Sequence, residues 1–199
     1  MKVIGAIIAG GQSRRMGGRE KAFLELDSKS VILHVIEQFE PQVDQLVINA
    51  NGEPARFSKF GLEVVPDVLT SLTTPLAGLH TALRFAKSVG AEVLVTVPSD
   101  TPFLPFDLAA KLLENSTANG AVIASSGGQD HYIIGAWNKE LLDDLERTIA
   151  EDGLFRVKDW AQRALAQKVE WPVEPYDPFF NVNTPEDLLR AEQILKASP

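Results

Sequence analysis

The sequence predicts an α/β protein, a three-layer α/β/α sandwich around a mostly parallel central sheet. Three observations point there. Short β-branched runs are apolar without alternation, as strands buried on both faces must be. Between them lie segments whose apolar residues recur at helical spacing. Clusters rich in glycine, asparagine and aspartate fall directly after the runs, at the sheet edge where open α/β folds bind ligands.

The elements follow in order. Residues 3–8 form the first strand. Ser30 caps a helix carrying Ile32, Val35, Ile36 and Phe39, which ends before Pro41. Residues 46–48 and 62–65 are the second and third strands. Pro75 opens a helix buried through Leu76, Leu79 and Leu83, and 93–97 is the fourth strand. Pro105 opens a helix with Leu108, Leu112 and Leu113. Strands are expected at 121–124 and 132–137, helices at 141–149 and 155–165. A strand at 169–173 is confined to an edge or an end by Pro172. Thr184 caps the last helix, with Pro185 at its first position and Glu186 and Asp187 in its first turn.

The chain has 199 residues, 45% of them hydrophobic and 23% charged, enough for one domain to fold on its own core. We expect a single domain over 1–199. The absence of cysteine excludes a disulfide scaffold, a thiolate metal site and a thiol nucleophile, and fits a cytoplasmic protein. A net charge of -8 disfavours nucleic acid and anionic lipid as partners. No run approaches the roughly 20 apolar residues that cross a bilayer. No nucleic-acid or membrane partner is therefore expected, and any phosphate site must be local.

That site is the loop after the first strand, Ile8-Ala9-Gly10-Gly11-Gln12-Ser13-Arg14-Arg15-Met16-Gly17-Gly18-Arg19-Glu20-Lys21. Paired glycines let backbone amides approach an anion, Ser13 adds a hydroxyl, and Arg14, Arg15, Arg19 and Lys21 form a dense basic cluster. The spacing matches neither a P-loop nor the dinucleotide fingerprint. Further clusters come after other strands. Asp100 follows the fourth, where a carboxylate near a phosphate loop suits Mg²⁺. Asn49 and Asn51 follow the second and Asp67 the third, where a base or ribose can be read by hydrogen bonds; the same residues also serve ordinary turns. Thr74 to Gly78 opens a helix whose first amides can meet an anion. Asn181 and Asn183 precede the final cap and are not explained by it.

The G-G-x-S-x-R-M-G loop with Lys21 resembles that of the molybdenum cofactor guanylyltransferase family, within the nucleotidyltransferases of GT-A-like, Rossmann-related fold. The resemblance implies that Ile8, Ala9, Gly10, Gly11, Ser13, Lys21, Asn49, Asp67, Gly78 and Asp100 contact GTP. It implies that Asp100 binds Mg²⁺, that Lys21 and Arg15 face the pyrophosphate, and that Arg156, Asn181 and Asn183 serve the molybdopterin side. Asp130 and His131 match family positions near that side. Thr74 stands where the family usually has glycine, which puts the local backbone there in question. The first half, about 1–105, would hold the nucleotide and the second half the acceptor.

The reaction so implied transfers GMP from GTP to molybdenum-molybdopterin, with transient contact with molybdopterin-insertion proteins or molybdoenzyme chaperones expected. Two alternatives use the same fold: a CTP-dependent molybdopterin cytidylyltransferase and a sugar-1-phosphate nucleotidyltransferase. A third, of a different class, is a non-catalytic nucleotide-binding adaptor.

Overall fold

The computed structural model describes residues 1–10, 21–117 and 120–197, with only the backbone described at Lys21. Among the described residues nine strands form: β1 (Val3–Ile8), β2 (Glu25–Leu26), β3 (Lys29–Ser30), β4 (Gln45–Asn49), β5 (Glu63–Val65), β6 (Val93–Pro98), β7 (Ala121–Ser126), β8 (Gln129–Asn138) and β9 (Gln167–Trp171). Six α-helices accompany them among the same residues: α1 (Val31–Phe39), α2 (Pro75–Ser88), α3 (Leu108–Glu114), α4 (Leu141–Glu151), α5 (Val157–Arg163) and α6 (Pro185–Ala197). Seven strands make one sheet in the order β5-β4-β1-β6-β8-β7-β9, while β2 and β3 form a separate small ribbon.

The sheet is parallel except at β8, which runs antiparallel to both β6 and β7. The cause is local. Gly127 and Gly128 both take positive φ, +53° and +79°, and Ser126 pairs with Gln129 across them. Two consecutive left-handed residues close a tight hairpin that few other residue pairs can make. The hairpin also carries β8 back to Gln129, further than the 132–137 expected, through an irregularity where the partner of Ile123 is Gly135 and that of Ala124 is His131.

Alternate strand residues face two helix layers. Ile7, Ile48, Val95, Val122 and Ala136 pack with Ile32, Val35 and Phe39 of α1 and with Leu108 and Leu112 of α3. Ile4, Ala6, Val47, Leu94 and Ile123 pack with Leu76, Leu79 and Leu83 of α2, Leu145 of α4 and Trp160 of α5. The three-layer expectation therefore holds. β9 lies at the sheet edge and ends before Pro172, as the missing proline N–H requires.

Two helices, α3 and α5, are shorter than expected. α3 begins at Leu108, because 105–107 turn first, with Leu108 N–H donating to Pro105 O at 3.2 Å. α5 is shorter than 155–165, because Arg156 is extended and Leu165 sits at φ +52°. At α6, Thr184 Oγ1 accepts from Asp187 N–H at 3.1 Å and Asp187 Oδ2 accepts from Thr184 N–H at 2.9 Å. This reciprocal pair is the cap read from the sequence. Among the described residues no helix is long and apolar enough to cross a membrane.

Candidate active site

Register aligns the strand ends. Ile8 pairs with Asn49 on one side and Pro98 on the other, and Asn49 pairs with Val65. Strands lie about 4.8 Å apart, so this four-strand row spans roughly 14 Å. Ala9 N–H extends the ladder to Asn49 O at 2.8 Å. The segments carrying Gly10, Asn51, Asp67 and Asp100 therefore leave the sheet side by side.

On the β4–β5 side a polar cluster forms. Asn49 is 0% exposed. Its Nδ2 donates to Val65 O at 3.0 Å and to Asp67 Oδ1 at 2.8 Å. Both partners can only accept, so the amide orientation is chemically determined. Asn51 Nδ2 donates to Asp67 Oδ2 at 2.7 Å, and Asn51 Oδ1 accepts from Asp67 N–H at 2.9 Å. Each Asp67 oxygen thus holds one amide donor and keeps lone-pair capacity for another. Gly10 abuts this cluster: a Cβ there would lie 3.6 Å from Asn49 Oδ1, 3.7 Å from Asp67 Oδ2 and 3.8 Å from Asn51 Nδ2. Gly78 closes the other side, where a Cβ would overlap Asn49 Oδ1 and approach Ile8 Cγ2 to 3.1 Å. Asn49 Oδ1 is itself buried and has no hydrogen-bond partner among the described residues. Five expected residues, Ile8, Gly10, Asn49, Asp67 and Gly78, are therefore one assembly, with Asn49 behind Asp67 rather than at the surface.

At Thr74 the backbone needs no glycine: φ of -115° and ψ of 161° are ordinary extended values. Its Oγ1 donates to Phe155 O at 2.7 Å, tying the start of α2 to the segment before α5. The next residue after Phe155, Arg156, is 77% exposed at its side chain and grips Asp159 through Nε at 2.7 Å and a terminal nitrogen at 3.1 Å. Sequence reading missed the Thr74–Phe155 link, which carries no local signal.

Beyond β6, Asp100 is half-buried, and its carbonyl accepts from Val182 N–H at 2.8 Å. That bond places Asn181 and Asn183, on either side of Val182, against the Asp100 segment. Leu26, Phe103 and Val182 share a third apolar cluster, so the segment that follows Lys21 packs with the one that follows Asp100. Lys21 itself begins a single 3-10 turn ending at Phe23. Gly11, Ser13 and Arg15, like Arg14 and Arg19, lie outside the described residues, as does the Lys21 side chain.

Asp130 is held by its neighbours. It pairs with Lys168 at 2.7 Å and accepts from Tyr132 Oη at 3.0 Å, and the Lys168 ammonium holds its carboxyl below the usual carboxylate range. His131 instead meets Ser126, whose hydroxyl also reaches Asp177. Sequence reading did not single out Ser126 or Asp177. The available signal was Asp177-Pro178-Phe179, a turn sequence in which the aspartate bonds the backbone two residues on; here Asp177 Oδ1 accepts from Phe179 N–H at 2.9 Å.

Among the described residues no three or more of His, Asp and Glu group as a metal cage. Magnesium does not need one. It keeps much of its water and takes one or two carboxylates plus substrate phosphates. The half-buried carboxylate of Asp100, at the sheet edge that Gly10 also leaves, fits that donor chemistry.

Known proteins resemble the whole chain. The model of the MobA-like NTP transferase domain matches residues 5–168. A molybdenum cofactor guanylyltransferase from a Bradyrhizobium species is 41% identical over 196 residues, covering 96% of this chain and 92% of that one. One from Rhizobium meliloti is 45% identical over 197 residues, covering 95% and 90%. The crystal structure of molybdopterin-guanine dinucleotide biosynthesis protein A from Archaeoglobus fulgidus superposes with a TM-score of 0.76 at 29% identity, covering 98% of this chain and 100% of that one.

Proposed function

The chain belongs to the family of MobA-like NTP transferases, and on that premise we propose that it transfers GMP from GTP to molybdenum-molybdopterin, forming molybdopterin guanine dinucleotide and releasing pyrophosphate. The observation that carries this reading is the shared carboxyl edge. There the Gly10–Asn49–Asp67 assembly after β1, β4 and β5 adjoins the Asp100–Val182 junction after β6.

The chemistry is built from these parts. A phosphate oxygen of the acceptor attacks the α-phosphorus of GTP, the bond from that phosphorus to the β-phosphate bridging oxygen breaks, and pyrophosphate departs. The attacking phosphate is already ionised, so no general base is required. Alignment of nucleophile and phosphorus is worth up to about 7–11 kcal/mol. Neutralising charge on the phosphate oxygens is the other large contribution. Lys21 and Arg15 serve it at the pyrophosphate, with the amides of Gly10 and Gly11 and the Ser13 hydroxyl along the phosphates; the Ala9 amide expected there is instead bonded to Asn49 O at 2.8 Å. Asp100 would hold Mg²⁺, which supplies positive charge against phosphate oxygens. Arg156, Asn181 and Asn183 lie on the acceptor half. Such an enzyme works in the cytoplasm and passes its product to molybdopterin-insertion proteins or molybdoenzyme chaperones.

Preference for GTP is supported by Asp67. Its carboxylate is held by two amides and still offers acceptor sites, which suit the adjacent N–H donors of guanine. Pyrophosphate release, measured with each nucleotide in the presence of molybdenum-loaded molybdopterin, tests the reading. GTP is expected to exceed CTP, UTP and ATP, with release dependent on the acceptor. Equal release from CTP would favour the cytidylyltransferase, and acceptor-independent or absent release would remove the transferase. Asp100→Asn is expected to raise the Mg²⁺ needed for half-maximal rate; an unchanged titration would remove it as ligand.

A further inference from the structure

Beside the β7–β8 turn, three polar side chains form a connected chain that the transfer chemistry does not use. Ser126 is 1% exposed. Its Oγ lies 2.8 Å from Asp177 Oδ1 and 2.8 Å from His131 Nε2. A carboxylate can only accept, so the hydroxyl proton goes to Asp177 and His131 donates Nε2–H to Ser126. Burial pushes the His131 imidazole below its ordinary value, against the opposing pull of Asp177, Asp130 and Glu170, which favours this neutral tautomer.

The order of the three excludes nucleophilic work. In a hydrolytic triad the carboxylate orients the imidazole and the serine is open to substrate. Here the carboxylate sits on the serine, and the serine is buried. What the chain does reach is backbone. Asp177 Oδ1 accepts a second bond, from Phe179 N–H, and the Phe179 ring packs against His131 at 4.9 Å and edge-on to Trp171 at 5.3 Å. Three residues later Val182 N–H donates to Asp100 O at 2.8 Å. The sheet edge is thus joined to the Asp100 segment through residues 177–182.

We propose that the Ser126–His131–Asp177 chain is a positioning element, which registers the 179–183 segment on Asp100 and so aligns the acceptor without setting nucleotide affinity. The consequence for the acceptor rests on the transferase reading above; the registration itself does not.

The variants are Ser126→Ala, His131→Leu and His131→Gln, the last keeping an N–H donor at comparable reach. Amide hydrogen exchange of the 177–183 peptide is measured alongside GTP affinity by calorimetry and the KM and kcat for molybdopterin. In Ser126→Ala and His131→Leu, exchange at Phe179 and Val182 is expected to quicken about tenfold. The kcat/KM for the acceptor is expected to fall about tenfold, equivalent to about 1.4 kcal/mol, while the GTP Kd stays within about twofold. His131→Gln is expected to recover most of both losses. Unchanged exchange in Ser126→Ala and His131→Leu overturns the proposal, and so does a parallel weakening of GTP binding or equal loss in the glutamine variant. The exchange arm needs no acceptor. Faster exchange in a protein that never uses molybdopterin upholds the registration and removes only the transferase reading.

Discussion

Gly78→Ala tests whether the nucleotide-side assembly is as tightly built as its geometry says. The new methyl carbon would overlap Asn49 Oδ1 and lie 3.1 Å from Ile8 Cγ2. An ordinary carbon–oxygen contact is about 3.3 Å or longer, so the amide must retreat by on the order of 1 Å. Asn49 has nowhere to go, being 0% exposed and pinned through Nδ2 to Val65 O at 3.0 Å and Asp67 Oδ1 at 2.8 Å. A shift of that size takes both bonds beyond useful length. Two hydrogen bonds contribute about 0.5–1.5 kcal/mol each, and overpacking costs about 1–3 kcal/mol. The expected loss is about 3 kcal/mol, or about 6–12 °C in Tm for a domain of this length. Thermal and urea unfolding measure it. The double variant Gly78→Ala with Asn49→Ala makes room for the methyl, so its loss should fall short of the sum of the singles by about 1–2 kcal/mol. A Tm drop under about 2 °C in Gly78→Ala, or strict additivity in the double variant, would refute the reasoning.

Three further outcomes are expected. Asp67→Asn places an amide opposite two amide donors, so one of the two contacts becomes donor against donor; GTP affinity should fall about tenfold or more and the preference over CTP should narrow, as read by a nucleotide thermal-shift panel. Thr74→Val removes the hydroxyl bound to Phe155 O in an exposed setting, so stability should change by less than about 1 kcal/mol while the KM for the acceptor rises, and Thr74→Ser should keep the wild-type KM. His80 is 2% exposed, and its burial lowers its pKa from 6.5 against the opposing hydrogen bond to Glu146. Below about pH 6.5 the unfolded chain then binds more protons than the folded one, so this stability is present above that pH and is lost as pH falls toward the folded pKa. His131 is lowered for the same reason and acts in the same direction. Urea unfolding from pH 7 to pH 5 should show the decline, and His80→Gln should flatten it.

The site was legible where chemistry is carried by residues adjacent along the chain. Continuous apolar runs at 3–8 and 93–97 mark strands buried on both faces, and the loops leaving the carboxyl ends of such strands lie at the binding edge of an α/β sheet. Gly10, Asn49, Asp67 and Asp100 were expected at that edge on this ground, and the structure brings the first three together there. The contacts of Asp130 with Lys168 and Tyr132 were not legible, because Lys168 is brought near only by the pairing of β9 with β7 and its position in sequence gives no hint of that.

By itself the sequence determined the layer architecture, the places where loops leave the sheet, and the cap of α6, since each depends on side-chain period or on groups a few residues apart. Only the tertiary structure decided how those loops are fastened to one another. Asn49 reaches Asp67 across 18 residues, Ser126 reaches Asp177 across 51, and Thr74 reaches Phe155 across 81. Such bonds form because strand order places distant segments side by side. Strand order is set by the burial of the whole sheet between its two helix layers, a condition that no local stretch of sequence contains.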